Sequence, residues 1–403
     1  GAGAPPRPGG GVGRQVPGAS LPTAMWSSEH FRNLLYQIAL LVLIGTLGTY
    51  AVLNLVHNLE SRAITIGFSY LAQEAGFDIS EKLIDYQPTH SYGRAFAVGL
   101  LNTLFVSLLA IVAASVLGLA IGIARLSPNW LLRKLAAAYV EAVRNVPLIL
   151  QLLLWYGVLT ELLPPVADAL RIGPAYLSQR GCAMPWPVAH PGWSAALLGL
   201  LLALVLSLLW ARRARTVRDR CGRAPPVLWP AIGVCLLLPL AAWGAFGAPL
   251  EFSQPVLSGF DFEGGKIVLP EFIALLCGLS IYTAAFIAEI VRGGILAVDR
   301  GQIDAAEALG LSYGQRLRLV ILPQALRVMI PPLTSQYLNL SKNSSLAVAI
   351  GYPDLVSVSN TTLNQTGQAI EAIGLMMAVY LALSLAISGL MNWYNHRVRL
   401  VER

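Results

Sequence analysis

The chain has 403 residues, 56% hydrophobic and 12% charged, where a soluble domain carries about 25% charge. This composition excludes a soluble globular enzyme and points to a polytopic membrane protein. The formal net charge of +7 sits between apolar runs, which assigns the basic residues to orientation at a membrane surface and not to nucleic acid.

Residues 1–33 are rich in Gly and Pro and have no period. They are expected to form a disordered cytoplasmic leader, apart from a short interfacial turn over 26–31. Residues 34–56 are the first apolar run. About 20 residues cross the hydrocarbon core, so this run is expected to remain as an anchor rather than a cleaved signal. The polar stretch 57–94, which includes DISEKLIDY, is expected outside the bilayer on the periplasmic side. The second span is expected over 95–124. Gly118 and Gly122 there have the spacing that admits a close helix neighbour, although small residues also fall at that spacing by chance.

A short basic loop over 125–144 leads to a third span over 146–163, closed by Pro164 and Pro165. A Pro-, Gly- and Trp-rich loop runs to residue 191. Spans over 193–210 and 226–246 flank a dense run of Arg. Few polar residues fall inside them, so residues 193–248 read as a peripheral inserted hairpin within a core of 95–403. The sixth span is expected over 269–291. The polar segment 304–323 follows, then an apolar run over 323–350 interrupted by Pro331, Pro332 and the polar residues 339–345. Polar residues 355–368 precede the last span, over 369–393. The fold class is an all-α polytopic transmembrane helical bundle of about eight spans.

Lys and Arg in the connections set the orientation. Counted alternately along the spans, 21 lie on one side and 6 on the other, with Lys342 the remaining one. Both termini and the segment 304–323 are therefore expected on the cytoplasmic side.

No constellation for catalysis stands out. The four cysteines lack zinc-ligand or disulfide-framework spacing, the five histidines are read as lying outside the spans, and no metal site is expected. No phosphate-binding G-x-x-x-x-G-K-[ST] loop is present, so any ATP hydrolysis belongs to another chain.

The segment 304–323 is polar and amphipathic, unlike its surroundings. Asp304 suits the start of a helix, and Ala305 and Ala306 are helix formers. Gly310 suits a C-terminal cap with positive φ. Ser312 and Gln315 fit a capping box that restarts a helix at Tyr313. Leu317, Val320 and Ile321 form an apolar face, and Pro323 lies in the first turn of the next element or kinks its start. Two short helices bent at Gly310 are expected, with Leu309 and Leu311 as an exposed apolar tip. Docking of a partner or contact with lipid headgroups both fit such a tip.

These residues resemble the EAA loop of permease subunits of bacterial ABC importers: E-A-A, then Gly, then I-x-L-P. Here Asp304-Ala305-Ala306, Gly310, Val320, Leu322 and Pro323 stand at those places, with Asp304 and Val320 departing conservatively. Further stretches look like the polar amino acid branch of that family. They are Gly99-Leu100-Leu101-Asn102-Thr103-Leu104, Arg144-Asn145-Val146-Pro147-Leu148, the run from Tyr282 to Ile295, and Leu340-Ser341-Lys342-Asn343-Ser344-Ser345-Leu346. The eight-span layout, DISEKLIDY and TTLNQTGQAIE resemble general L-amino acid permeases, from about residue 34 onward.

The resemblance implies a type I importer core working by alternating access. It implies two ATPase subunits docked at 304–323, a second and similar permease, a periplasmic amino-acid-binding protein and surrounding lipid as partners. No cofactor is implied on this chain, ATP and Mg²⁺ belonging to the ATPase.

Ionisable residues inside spans are functional candidates by default. Lys342 is the only Lys in the spans; with Asn343 and Ser344 it serves a substrate carboxylate, or it snorkels outward or pairs structurally. Asn102 and Thr103 either line a path or bond between helices. Thr283 is a further path candidate. Glu289 and Arg292, three apart on one helix face, are expected to pair and orient the coupling loop. An ion-coupled secondary transporter is the alternative. It wants buried carboxylates and inverted repeats, and the spans hold few acids.

Overall fold

A computed structural model describes residues 29–61, 67–221, 225–259 and 261–398. The predicted leader therefore lies outside the described residues up to position 28. Its last residues, 29–33, are helical instead of irregular, because they open α1, Glu29–Ser61. This helix belongs to a first compact unit, residues 1–67. Its described side chains are all exposed, and it is apolar all round, which suits a helix surrounded by lipid. Its apolar span runs Arg32–Asn58 and so takes in His57, which sequence reading put outside.

The second unit, residues 68–403, holds the bundle. A short 3₁₀ turn, Phe68–Ala72, precedes α2, Tyr92–Ala124. Ser91 caps α2 through its hydroxyl. Next come α3, Trp130–Asn145, and α4, Leu148–Gly157. The long helices α5, Pro191–Cys221, α6, Leu228–Ala245, and α7, Pro270–Leu296, follow. After the short helices α8, Arg300–Ala308, and α9, Tyr313–Arg316, come α10, Leu322–Asn343, α11, Leu355–Thr366, and α12, Ala369–Val398. Among the described residues seven helices are long and apolar enough to cross a membrane, and a bent pair makes an eighth. The chain is thus a helical membrane bundle of the predicted span count.

That bent pair corrects the sequence reading. The stretch read as a basic loop is helix α3, capped by Asn129, whose side chain accepts from the backbone of Leu131 and Leu132. Its two buried side chains, Ala136 and Val140, are four apart, the period of an amphipathic helix. The chain turns through 103° between α3 and the α4 segment. Pro147 causes the turn, since a residue before proline avoids helical dihedrals. The Gln151 side chain covers the break by donating to the carbonyls of Val143 and Val146, both at 2.9 Å. A helix end in an apolar setting needs such a donor.

Helices α2 and α7 form the spine of the bundle. A Cβ built on Gly118 would lie 2.6 Å from Ile287 Cβ, and one on Gly122 would lie 2.7 Å from Val291 Cβ. The two glycines therefore let the backbones approach, and close packing replaces the hydrophobic driving force that lipid does not supply. The core gathers Val106, Ala110, Leu152, Leu275, Leu279, Ile287 and Met329 from α2, α4, α7 and α10.

Short strands cap the end of the bundle where α7 begins. β1, Leu170–Ile172, β2, Ala175–Ser178, β3, Gly181–Met184, and β8, Lys266–Val268, form one antiparallel sheet. β4, Trp186–Pro187, pairs with β5, Phe252–Ser253, and β6, Val256–Ser258, with β7, Asp261–Glu263. The β3–β8 and β4–β5 pairs join the chain just before α5 to the chain just after α6. Helices α5 and α6 pack on each other, and no other helix contacts either as extensively. That arrangement fits a side insertion closed at its base.

Candidate functional site

The segment after α7 is built by caps. Asp299 opens α8, its carboxylate accepting from Gly301 N at 2.6 Å. The helix thus starts four residues before the predicted position, and Asp304 sits within it. At the other end Gly310 takes φ +74°. Gly310 N donates to Glu307 O at 2.9 Å and Leu311 N to Ala306 O at 3.2 Å, the paired bonds that close a helix on a left-handed residue. The predicted capping box is present: Ser312 N donates to Gln315 Oε1 at 2.9 Å, and Gln315 N to Ser312 Oγ. Arg316 reaches back across the bend to Glu307 at 2.6 Å.

The tip differs in one respect from expectation. Leu309 is 81% exposed and Tyr313 70%, while Leu311 is half-buried. Ala306 is buried, and Asp304 and Ala305 are exposed. The second short helix is not a separate unit. A π turn over Leu317–Ile321 carries α9 into α10, with Pro323 in the first turn of α10, so one helical run extends from Tyr313 to Ile350.

The predicted pair lies just before this segment. Arg292 donates to Glu289 Oε1, with Nη2 at 2.5 Å. Glu289 Oε2 also accepts from Arg125, at the end of α2. One carboxylate thus bridges two guanidiniums and ties α2 to α7 at the end nearest α8. Arg125 stands 164 positions from Glu289, so spacing could not have revealed it. Arg144 lies over the Phe286 ring, 5.0 Å from its centroid.

The proposed path residues separate into two groups. Lys342 is exposed, and its ammonium has no partner among the described residues. Asn343 ends α10 and Ser344 opens a 3₁₀ turn, Ser344–Ile350. The helix runs unbroken through Pro331 and Pro332, so the predicted polar break shrinks to the change of helix type at Ser344. Ser344 is fully buried and donates to Ser341 O.

Asn102 and Thr103 hold the turn that follows. Asn102 Nδ2 donates to Glu81 O at 2.7 Å and Pro353 O at 2.9 Å. Thr103 Oγ1 accepts from Leu355 N at 3.0 Å. Between these anchors, fully buried Asp354 caps α11 through Ser357 N at 2.8 Å and faces the Tyr380 hydroxyl at 3.5 Å. Burial pushes the Asp354 carboxyl up to about 7. Thr283 is buried in the middle of α7. Among the described residues no group of three or more His, Cys, Asp or Glu is placed to hold a metal ion.

The described residues form a membrane-spanning helical bundle with a capped, exposed bend after α7. Residues 195–400 match the family model described as "Binding-protein-dependent transport system inner membrane component". YhdX of Escherichia coli (strain K12), a permease protein named for amino-acid ABC transport, is 52% identical over 92% of this chain and 95% of the relative. The general L-amino acid transport system permease protein AapQ of Rhizobium johnstonii is 45% identical, covering 96% of each. BztB of Rhodobacter capsulatus, a glutamate/glutamine/aspartate/asparagine transport system permease protein, is 41% identical over 93% of this chain and 95% of the relative. The chain belongs to the family of amino-acid ABC transporter permeases. Nothing in these relatives supports the ion-coupled alternative.

Proposed function

We propose that the chain is one of the two membrane-spanning subunits of an ATP-driven L-amino acid importer of type I, in a bacterial inner membrane. The observation that carries this reading is the bend at Gly310, which leaves Leu309 81% exposed at the tip of a polar, capped segment. Two ATPase subunits holding ATP and Mg²⁺ dock there, one on this chain and one on a second, similar permease. Asp304, Ala305, Ala306, Leu309, Gly310, Leu311 and Pro323 form the docking element. Both termini and this element face the cytoplasm, as the distribution of Lys and Arg supports. A periplasmic binding protein delivers substrate to the opposite end. No covalent chemistry takes place on this chain.

Coupling is mechanical. Closure of the ATPases moves α8 and α9. The continuous run from Tyr313 to Ile350 carries the motion to Lys342, Asn343 and Ser344, and Glu289 with Arg125 and Arg292 moves α2 with α7. Lys342 faces away from this chain's own core, which suits a contribution to a path shared with the second permease. Asn102 and Thr103 serve that path by holding the Pro353–Leu355 turn, and Thr283 lies on the moving helix.

The test is transport in vesicles holding the full complex. Uptake should require ATP and the binding protein and ignore ionophores. Uptake that collapses with an ionophore and persists without ATP would overturn the proposal.

A further inference from the structure

A cavity of about 570 Å³ lies between the start of α7, the end of α4 and the strand cap. Its size falls within the roughly 300–1,000 Å³ of small-molecule sites. The bundle supplies Glu271, Tyr156 and Thr160, and the cap supplies Gln179, Arg180 and Asp261. Tyr156 donates to Glu271 Oε1 at 3.3 Å. Glu271 Oε2 is buried and has no hydrogen-bond partner among the described residues, a condition a carboxylate oxygen tolerates poorly. Across the cavity Arg180 meets Asp261 through one nitrogen at 2.8 Å, and a guanidinium has five N–H donors.

We propose that this cavity is an entry subsite for a zwitterionic amino acid. Glu271 Oε2, with the hydroxyls of Tyr156 and Thr160, accepts from the α-ammonium. Arg180 donates to the α-carboxylate beside Asp261, and Gln179 lies within the same wall. An ammonium brings the donors that the orphan carboxylate oxygen lacks, and a lone anion would meet Glu271 as a like charge. The contacts named are to groups every amino acid has, so the subsite reads the backbone of the substrate and leaves the side chain free. The strand cap thereby gains a role: it brings the cationic half of the site over the acidic half on α7. The inference rests on the importer reading, because it places the cavity at the extracytoplasmic mouth.

The test uses the full complex of this chain with its partner permease and ATPases, and L-glutamine as probe. Binding of labelled L-glutamine to the detergent-solubilised complex is measured without binding protein. Glu271→Gln should weaken it about tenfold or more, the loss of one charge-assisted contact. Arg180→Gln changes a side chain that is 56% exposed and should leave assembly intact. It should weaken L-glutamine by about tenfold but L-glutaminamide, which lacks the carboxylate, by less than about twofold. If Glu271→Gln does not assemble, as judged by gel filtration, the Arg180→Gln comparison decides alone. Unchanged affinity in both variants, or equal loss of both ligands in Arg180→Gln, overturns the subsite. ATP-driven uptake by the wild-type complex, measured in parallel, separates this result from failure of the importer reading.

Discussion

Gly118 of α2 sits so near Ile287 of α7 that a Cβ on the glycine would fall 2.6 Å from Ile287 Cβ. Helix–helix packing in lipid rests on such approaches. Gly118→Val should force the helices apart and cost about 1–3 kcal/mol, the range for overpacking a tight core. A lower midpoint in thermal unfolding of the purified complex would report it. An unshifted midpoint would mean that the spine repacks without penalty.

Leu309 is 81% exposed at the tip of the bend. Leu309→Arg should leave the permease folded and weaken ATPase docking by about 2 kcal/mol or more, roughly thirtyfold, as expected of a central apolar anchor. Co-purification of the ATPase and ATP-driven uptake should fall together. Retained docking would remove Leu309 from the interface.

Gly310 has φ +74° and open space around the position of a Cβ. Gly310→Ala therefore meets no clash and acts through the backbone alone, at about 1 kcal/mol. Docking should persist in weakened form, and substitution of Gly314, also in open space but with negative φ, should have a smaller effect. Equal effects of the two substitutions on ATPase binding would argue against the bend.

Glu289 holds Arg125 and Arg292 together. Glu289→Gln removes the carboxylate that both guanidiniums contact. It leaves Arg125 facing Arg292 with, among the described residues, only Glu141, which makes no ion pair with Arg125, as a nearby counter-charge. The site is part-exposed, so the loss should be about 1–3 kcal/mol, between the surface and buried limits. Salt should partly rescue the variant. Unfolding midpoints at low and high ionic strength measure both effects.

Asp354 is buried, and its carboxyl is pushed up to about 7 from an ordinary 3.8. The folded state then binds a proton that the unfolded state has released between about pH 4 and 7. The stabilising proton is fully present below that window and lost as pH rises through 7, for a change of at most about 4 kcal/mol. Asp354→Asn keeps an acceptor for Ser357 N and should flatten the dependence. Thermal unfolding between pH 5 and 8 compares the two, and equal slopes would show that another group titrates.

Much of this is legible in the sequence. Apolar runs mark the spans because length and hydropathy alone decide crossing, and Gly310, Ser312 and Gln315 mark the bend because caps are local chemistry. The pair Glu289–Arg292 follows from spacing on one helix. Helix α3 was hidden by its own basic residues, although Ala136 and Val140 carry the helical period. The two- to four-residue strands are too short to show alternation. Arg125, Glu271 and Arg180 gain their meaning from residues far along the chain, which no local pattern reports. Asp304 suits a helix start by charge alone, but the backbone places Asp299 at the cap, where its carboxylate reaches Gly301 N.

The antiparallel pairing of Cys182 with Val268 and of Trp186 with Ser253 gives the accessory hairpin a single doorway. Chain enters and leaves it at neighbouring points, so its length is nearly free of the bundle's geometry. We propose that such a region tolerates lengthening, trimming or exchange as a cassette while the rest of the permease keeps its shape, which makes it a place to install a reporter.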